Sequence, residues 1–204
     1  MKKVAFTGSY FSGLDKLREV AAYHDTPVFD ADLAVKFILN WREDILRQIR
    51  IQFGYESAPD GHIQPARFSS PAIFDRLIDL VDVELFLAWE SFCRKHAGEG
   101  VVIFKSHIVF ERSWESRFDS VVNIFRPQHL RITDIYRTRH LTRAHATTLV
   151  AQEMDEHKKS RASDHVIHNY DSLSMLAQFD SVKSQILSGQ ANSRTRKSLP
   201  ALPI

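Results

Sequence analysis

Two stretches of this chain leave water almost nothing to solvate: Val101-Val-Ile-Phe104 and Val121-Val-Asn-Ile-Phe125. A strand that is apolar at consecutive positions must be covered on both faces. That condition selects a sheet buried between helices. Lys3-Val-Ala-Phe-Thr7, Pro27-Val-Phe-Asp30 and His165-Val-Ile-His168 read as further strands. Helical periodicity fills the intervals. Leu14, Leu17, Val20 and Ala21 share one face, and Phe37, Ile38, Trp41, Ile45, Leu46 and Ile49 mark a second helical stretch. Ile73 to His96 reads as one long helical region, Pro127 to Arg161 as two polar, basic ones, and Leu173 to Leu187 as the last helix. Strands alternating with helices predict an α/β domain with a mainly parallel sheet.

Several classes of function drop out early. The chain of 204 residues suits one domain with an inserted subdomain. A net charge of +2 does not argue for a nucleic-acid partner. Cys93 stands alone, which excludes an internal disulfide framework and fits a reducing compartment. No apolar run reaches the roughly 18 residues of a membrane span, and the N-terminus lacks a secretory pattern, so the expectation is a cytoplasmic protein away from membranes. The ten histidines show no metal-ligand spacing: His165 and His168 point to opposite faces of a strand, and His140 and His145 fall off one helical face. The Gln/Asn/Ser/Arg-rich tail from Ser188 to Ile204 cannot bury much and is expected to be disordered.

The first strand runs into Gly8-Ser-Tyr-Phe-Ser-Gly13 and then into a helix. This is the frame of a phosphate-binding loop, G-x-x-x-x-G-K-[ST], in which backbone N–H groups and the helix terminus cradle phosphates. The lysine of that motif reaches the β/γ-phosphates and the hydroxyl helps hold Mg²⁺. Here Gly8, Ser12 and Gly13 remain, but Leu14 stands at the lysine position and Asp15 at the hydroxyl position. Tyr10 and Phe11 replace the small residues that let such a loop wrap closely. Lys16 is a possible substitute cation, but two steps of about 100° put its stem on the far side of the helix from position 14. A plain strand-to-helix turn without ligand is the competing reading.

Further landmarks appear in order. Thr26-Pro-Val-Phe-Asp-Ala-Asp32 matches a P-V-I-D-A-D step, Asp60-Gly-His-Ile63 a dG-x-I-D-R segment, and Val109-Phe-Glu111 the end of P-L-L-F-E. Pro127 follows the fourth strand, Gln152 sits near the end of the basic helices, and Ser163-Asp-His-Val-Ile-His-Asn169 is close to A-D-x-V-I-x-N. With the opening loop, these residues resemble the dephospho-CoA kinase family along the chain to about Leu187. The resemblance implies a P-loop NTPase-like fold: a core over 1–32, 100–126 and 162–187, a helical CoA-side insertion over 33–99, and a helical lid over 127–161. It implies small-molecule ligands, ATP with Mg²⁺ and dephospho-CoA or a CoA-like compound, and transfer of the γ-phosphoryl group to a 3′-hydroxyl. It also implies that Asp32, or failing that Asp30, is the base on the acceptor hydroxyl, and that Asn169 lies near the adenine. A helix-capping role is the other reading of either aspartate.

Departures from the pattern gather at charged positions. Lys105 stands near the acidic residue that precedes P-L-L-F-E, and His107 replaces its proline. Lys105 could supply the missing cation from another strand, or face solvent at a strand end. The D-R pair is Gln64-Pro65 here. Lid arginines clamp phosphates; Arg137 and Arg139 are the candidates, since Thr133 or Asp134 occupies the expected place of one. The combined expectation is a retained fold with weakened phosphoryl transfer, or a binding module of that fold without turnover.

Overall fold

A computed structural model describes residues 1–59, 62–63, 70–170 and 173–189. The Asp60-Gly61 part of the loop, the Gln64-Pro65 step and the tail from Gln190 lie outside the described residues. Strands β1 (Lys2–Thr7), β2 (Val28–Asp30), β3 (Val101–Lys105), β4 (Ser120–Phe125) and β5 (His165–His168) make one sheet in the order β2-β3-β1-β4-β5. The pairs β1–β3, β1–β4 and β4–β5 are parallel, with Ala5 opposite both Phe104 and Val121. Their C-terminal ends therefore share one edge, the edge at which open α/β sheets bind ligands. Two aspartates set the register from the opposite edge. The Lys3 amide donates to Asp119 Oδ2 at 2.7 Å, and the Val121 amide donates to Asp164 Oδ2 at 2.7 Å. The aspartate of the Ser163-Asp164 step thus closes a strand ladder rather than serving a ligand.

Both sheet faces are covered, as the consecutive apolar runs require. On one face Val4, Phe6, Val101, Ile103, Val122, Ile124 and Ile167 pack with Leu14 and Leu17, and with Phe179, Val182 and Ile186. The last three come from α9 (Met175–Ser188), and Leu17 opens α1 (Leu17–Tyr23). On the other face the Phe104 ring meets Phe118 at 4.9 Å and Trp114 at 6.0 Å between centroids. The final helix runs on to Ser188, with Gly189 left-handed after it, so the expected tail begins two residues later than composition indicated.

The chain divides into two compact units, Met1–Phe29 with His96–Ile204, and Asp30–Lys95. The second holds α2 (Ala31–Trp41), α3 (Glu43–Phe53), α4 (Pro71–Asp79) and α5 (Asp82–Lys95). The sequence predicts one helical stretch where α2 and α3 stand. The chain breaks at Arg42, whose backbone is extended and whose guanidinium pairs with Asp44 at 2.9 Å and Glu84 at 2.7 Å. The neighbouring Arg42 cation also holds the Asp44 carboxyl below its usual range. The basic region after β4 likewise holds three helices instead of two: α6 (Gln128–Arg139), α7 (Arg143–Ala151) and α8 (Glu156–Ala162). Thr142 and Asp155 cap α7 and α8 by accepting the amides of His145 and Lys158, so two boundaries fall here where one was expected.

Candidate functional site

The loop between β1 and α1 lies at the ligand-binding edge of the sheet and is held rigidly from several sides. Phe11 (φ 61°) and Gly13 (φ 97°) are left-handed, and the second position needs glycine twice over, because a Cβ there would run into the amide of Asn169. A Cβ at Gly8 would meet the Ser12 hydroxyl and come within 2.8 Å of the Ile124 carbonyl. Asn169, just after β5, donates from Nδ2 to the Ser12 carbonyl at 2.7 Å, and its own backbone carbonyl accepts from Arg126 Nη1 at 2.7 Å. Every second amide of the loop is already used. Tyr10 N–H donates to Glu153 Oε1 (2.6 Å), Ser12 N–H to the Ser9 carbonyl (2.9 Å) and Leu14 N–H to Ser12 Oγ (3.4 Å).

Leu14 does not face the ligand side. It is 1% exposed and belongs to the main core, in a short 3₁₀ turn over Leu14–Lys16. The far side of the turn from Leu14 is therefore the open side, and Lys16 stands there with Asp15. The placement of Lys16 relative to Leu14 agrees with helical geometry, but the side that faces a ligand is the reverse of the sequence expectation. Gly13, Asp15 and Lys16 border a cavity of about 280 Å³ with Tyr10, Phe11, Arg126, Asp134, Arg139 and Asn169. Gly8, Ser12 and Leu14 do not line it.

Lys105 closes β3 at the same edge. It is 4% exposed, which corrects the reading of a strand-end lysine facing solvent. Its Nζ lies 3.5 Å from Asp15 Oδ1, whose own side chain is 73% exposed. At this edge the loop carries the carboxylate and β3 the ammonium.

The basic helices meet the loop directly. Ile135, Ala146 and Val150 of α6 and α7 form a small core that takes in Tyr10 and Phe11. Arg131 is only 2% exposed; its Nη1 donates to the Tyr10 carbonyl at 3.0 Å and to Glu153 Oε2 at 2.7 Å. Arg139 lies 5.9 Å above both the Tyr10 and Phe11 rings, whereas Arg137 is exposed and away from the cavity. Arg126 pairs with Asp134 at 2.8 Å. Sequence reading passed over Arg126 and Glu153. Arg126 follows β4 as Asn169 follows β5, so strand-end position was the available signal; Glu153 had none, since its partners are 22 and 143 residues away.

The two expected base candidates belong to the other unit. Asp30 is the N-cap of α2, accepting the Leu33 amide at 3.1 Å, and Asp32 is half-buried in the first turn.

A dephospho-CoA kinase family model matches residues 3–174. Dephospho-CoA kinases of Listeria monocytogenes are 26% identical over 182 residues, which span 84% of this chain and 90% of theirs. Those of Staphylococcus aureus are 23% identical over 175 residues, 82% of this chain and 84% of theirs. Two solved structures share the fold. A Thermus thermophilus protein aligns at a TM-score of 0.75 with 22% identity, over 91% of this chain and 97% of its own. The dephospho-CoA kinase from Campylobacter jejuni aligns at 0.64 with 18% identity, over 92% and 98%. With the parallel strand order, the loop after β1 and a match that continues past the last strand, this chain belongs to the dephospho-CoA kinase family.

Proposed function

We propose that the chain is a dephospho-CoA kinase-like protein that keeps the family's nucleotide cavity and has weakened transfer of phosphate from ATP to the 3′-hydroxyl of dephospho-CoA. One observation carries this reading: the residue at the loop-lysine position is packed into the core, while Asp15 faces the cavity beside Lys105. Catalysis of phosphoryl transfer is almost entirely charge neutralisation and positioning. Each lost electrostatic group typically costs about 10²–10³ in rate.

The residues at hand fit a nucleoside well and a polyphosphate poorly. Asn169, Gly13, Arg126 and the Tyr10 and Phe11 rings surround the cavity, and Lys16 and Arg139 supply cations at its border. Lys105 is the candidate for a phosphate contact from β3, once Asp15 releases it. Mg²⁺ takes one or two carboxylates plus substrate phosphates. The hydroxyl and acid that the family pattern would offer it are Asp15, held at an ammonium, and Lys105 itself. With an ammonium in place of the acid, these residues do not fit Mg²⁺ in the family's manner. Asp32 remains the first choice for orienting the acceptor hydroxyl, since the Asp30 carboxylate caps α2.

A second reading, a binding module without turnover, is favoured by the engaged amides of Tyr10, Ser12 and Leu14, which a phosphate would otherwise use. One experiment separates the two. Purified protein is incubated with Mg·ATP and dephospho-CoA, and CoA is measured by mass spectrometry against an Asp32→Ala control. Slow formation that vanishes in the control supports the weakened kinase. Formation equal to the control supports the binding module, and turnover at an ordinary kinase rate overturns both.

A further inference from the structure

Glu153 does not itself line the cavity, but its carboxylate is held by the backbone of Tyr10, which does. One oxygen accepts the Tyr10 N–H of the loop at 2.6 Å and the other accepts Arg131 Nη1 of α6 at 2.7 Å. A loop amide on one side and a lid arginine on the other is the pair of donors by which such proteins hold an anion. Both are occupied by a group of the chain itself. The Arg131 guanidinium is buried, yet its Nε has no partner among the described residues. That donor is available to a further acceptor, and a tetrahedral oxyanion offers more acceptors than a carboxylate does. The contact is also well supported. Tyr10 and Phe11 are packed into the small core of α6 and α7, and Arg139 covers both rings.

We propose that Glu153 is an internal anion that stands in for phosphate between loop and lid, and so determines how tightly the cavity takes a polyphosphate. A ligand phosphate must either displace the Glu153 side chain or bind beside its negative charge. The nucleoside end of the cavity, at Asn169 and Gly13, is untouched by this competition. Glu153 is thus a specificity residue that favours nucleosides and weakly charged ligands over polyphosphates. The inference rests on reading the cavity as a nucleotide site.

The test is calorimetric titration of tripolyphosphate, ATP and adenosine into the wild type and Glu153→Gln, after melting both proteins to establish that they fold. Glutamine keeps the shape and removes the charge. The expected result is a gain of roughly tenfold in affinity for tripolyphosphate and ATP, the effect of removing one like charge at short range, with adenosine unchanged. A merely structural role would weaken all three ligands together, and that outcome overturns the proposal. ATP binding that is equal in both proteins overturns it too while leaving the nucleotide reading intact. No binding of any ligand by either protein overturns both. Should Glu153→Gln not fold, Glu153→Asp takes its place: the shorter carboxylate cannot bridge both donors, so tripolyphosphate affinity is expected to rise with adenosine unchanged, and unchanged or weaker tripolyphosphate binding overturns the proposal.

Discussion

Single positions decide what the loop can do, and Leu14 decides most. Restoring the motif by Leu14→Lys looks like a repair on paper. In the folded chain that side chain lies among Val4, Phe6, Ile103 and Phe179. An ammonium there has no water and no carboxylate, so the substitution is expected to lower the unfolding free energy by about 3 kcal/mol or more. Guanidinium denaturation measures this; an unchanged midpoint would show that position 14 can turn outward and that the lysine site is recoverable. The same position bears on Lys16, which borders the cavity on the side away from Leu14. Its angular relation to Leu14 was legible from the sequence, but which side of the turn is buried was not, because burial depends on α9 and β4 arriving from residues more than a hundred positions away. Asp30 shows the opposite case: a carboxylate three residues before an amide at a helix start reads as a cap, and it is one.

At the scale of elements, the loop and the helices α6 and α7 pack together. Tyr10 is a member of the core of α6 and α7 as much as of the loop. Truncation by Tyr10→Ala removes a half-buried ring with its contacts to Phe11 and Arg139, and about 1–2 kcal/mol of local stability with it. Native-state hydrogen exchange should then show faster exchange throughout α6 and α7, with the strands β1, β3 and β4 unaffected. Equal acceleration everywhere would mean that α6 and α7 have no separate stability. Of the five strands, β3 and β4 were the most legible, because short runs of consecutive apolar residues suit strands covered on both faces. The helix break at Arg42 and the second break between Pro127 and Arg161 were not legible, since local periodicity continues across them; at Arg42 the interruption is made by an ion pair with Glu84, which needs a folded neighbour.

For the molecule as a whole, one contribution to the pH response comes from His165. It is 3% exposed at the start of β5, and burial pushes its pKa below the ordinary value against the smaller opposing effects of Asp164 and Gln185. The unfolded chain, with a histidine pKa of about 6.5, therefore binds this proton before the folded chain does. Stability contributed by the neutral ring is complete above that pH and is lost as the pH falls through and below it. Thermal melting between about pH 7 and pH 5 should show a falling midpoint, and His165→Gln should flatten that slope. A wild-type midpoint independent of pH across this window would contradict the burial argument.

Composition and pattern alone determined the α/β class, the five strands, the loop frame between Gly8 and Gly13, and the family likeness. These are local signals: apolar runs, glycine spacing and short motifs are carried by neighbouring residues. Only the tertiary structure decided that Leu14 points inward, that Lys105 is buried against Asp15, and that Arg131 is taken up by Glu153 and Tyr10. Each of those joins residues far apart in the chain at the C-terminal edge of the sheet. The energy of such a contact depends on distance and burial after folding, and neither quantity is written in the spacing of the sequence.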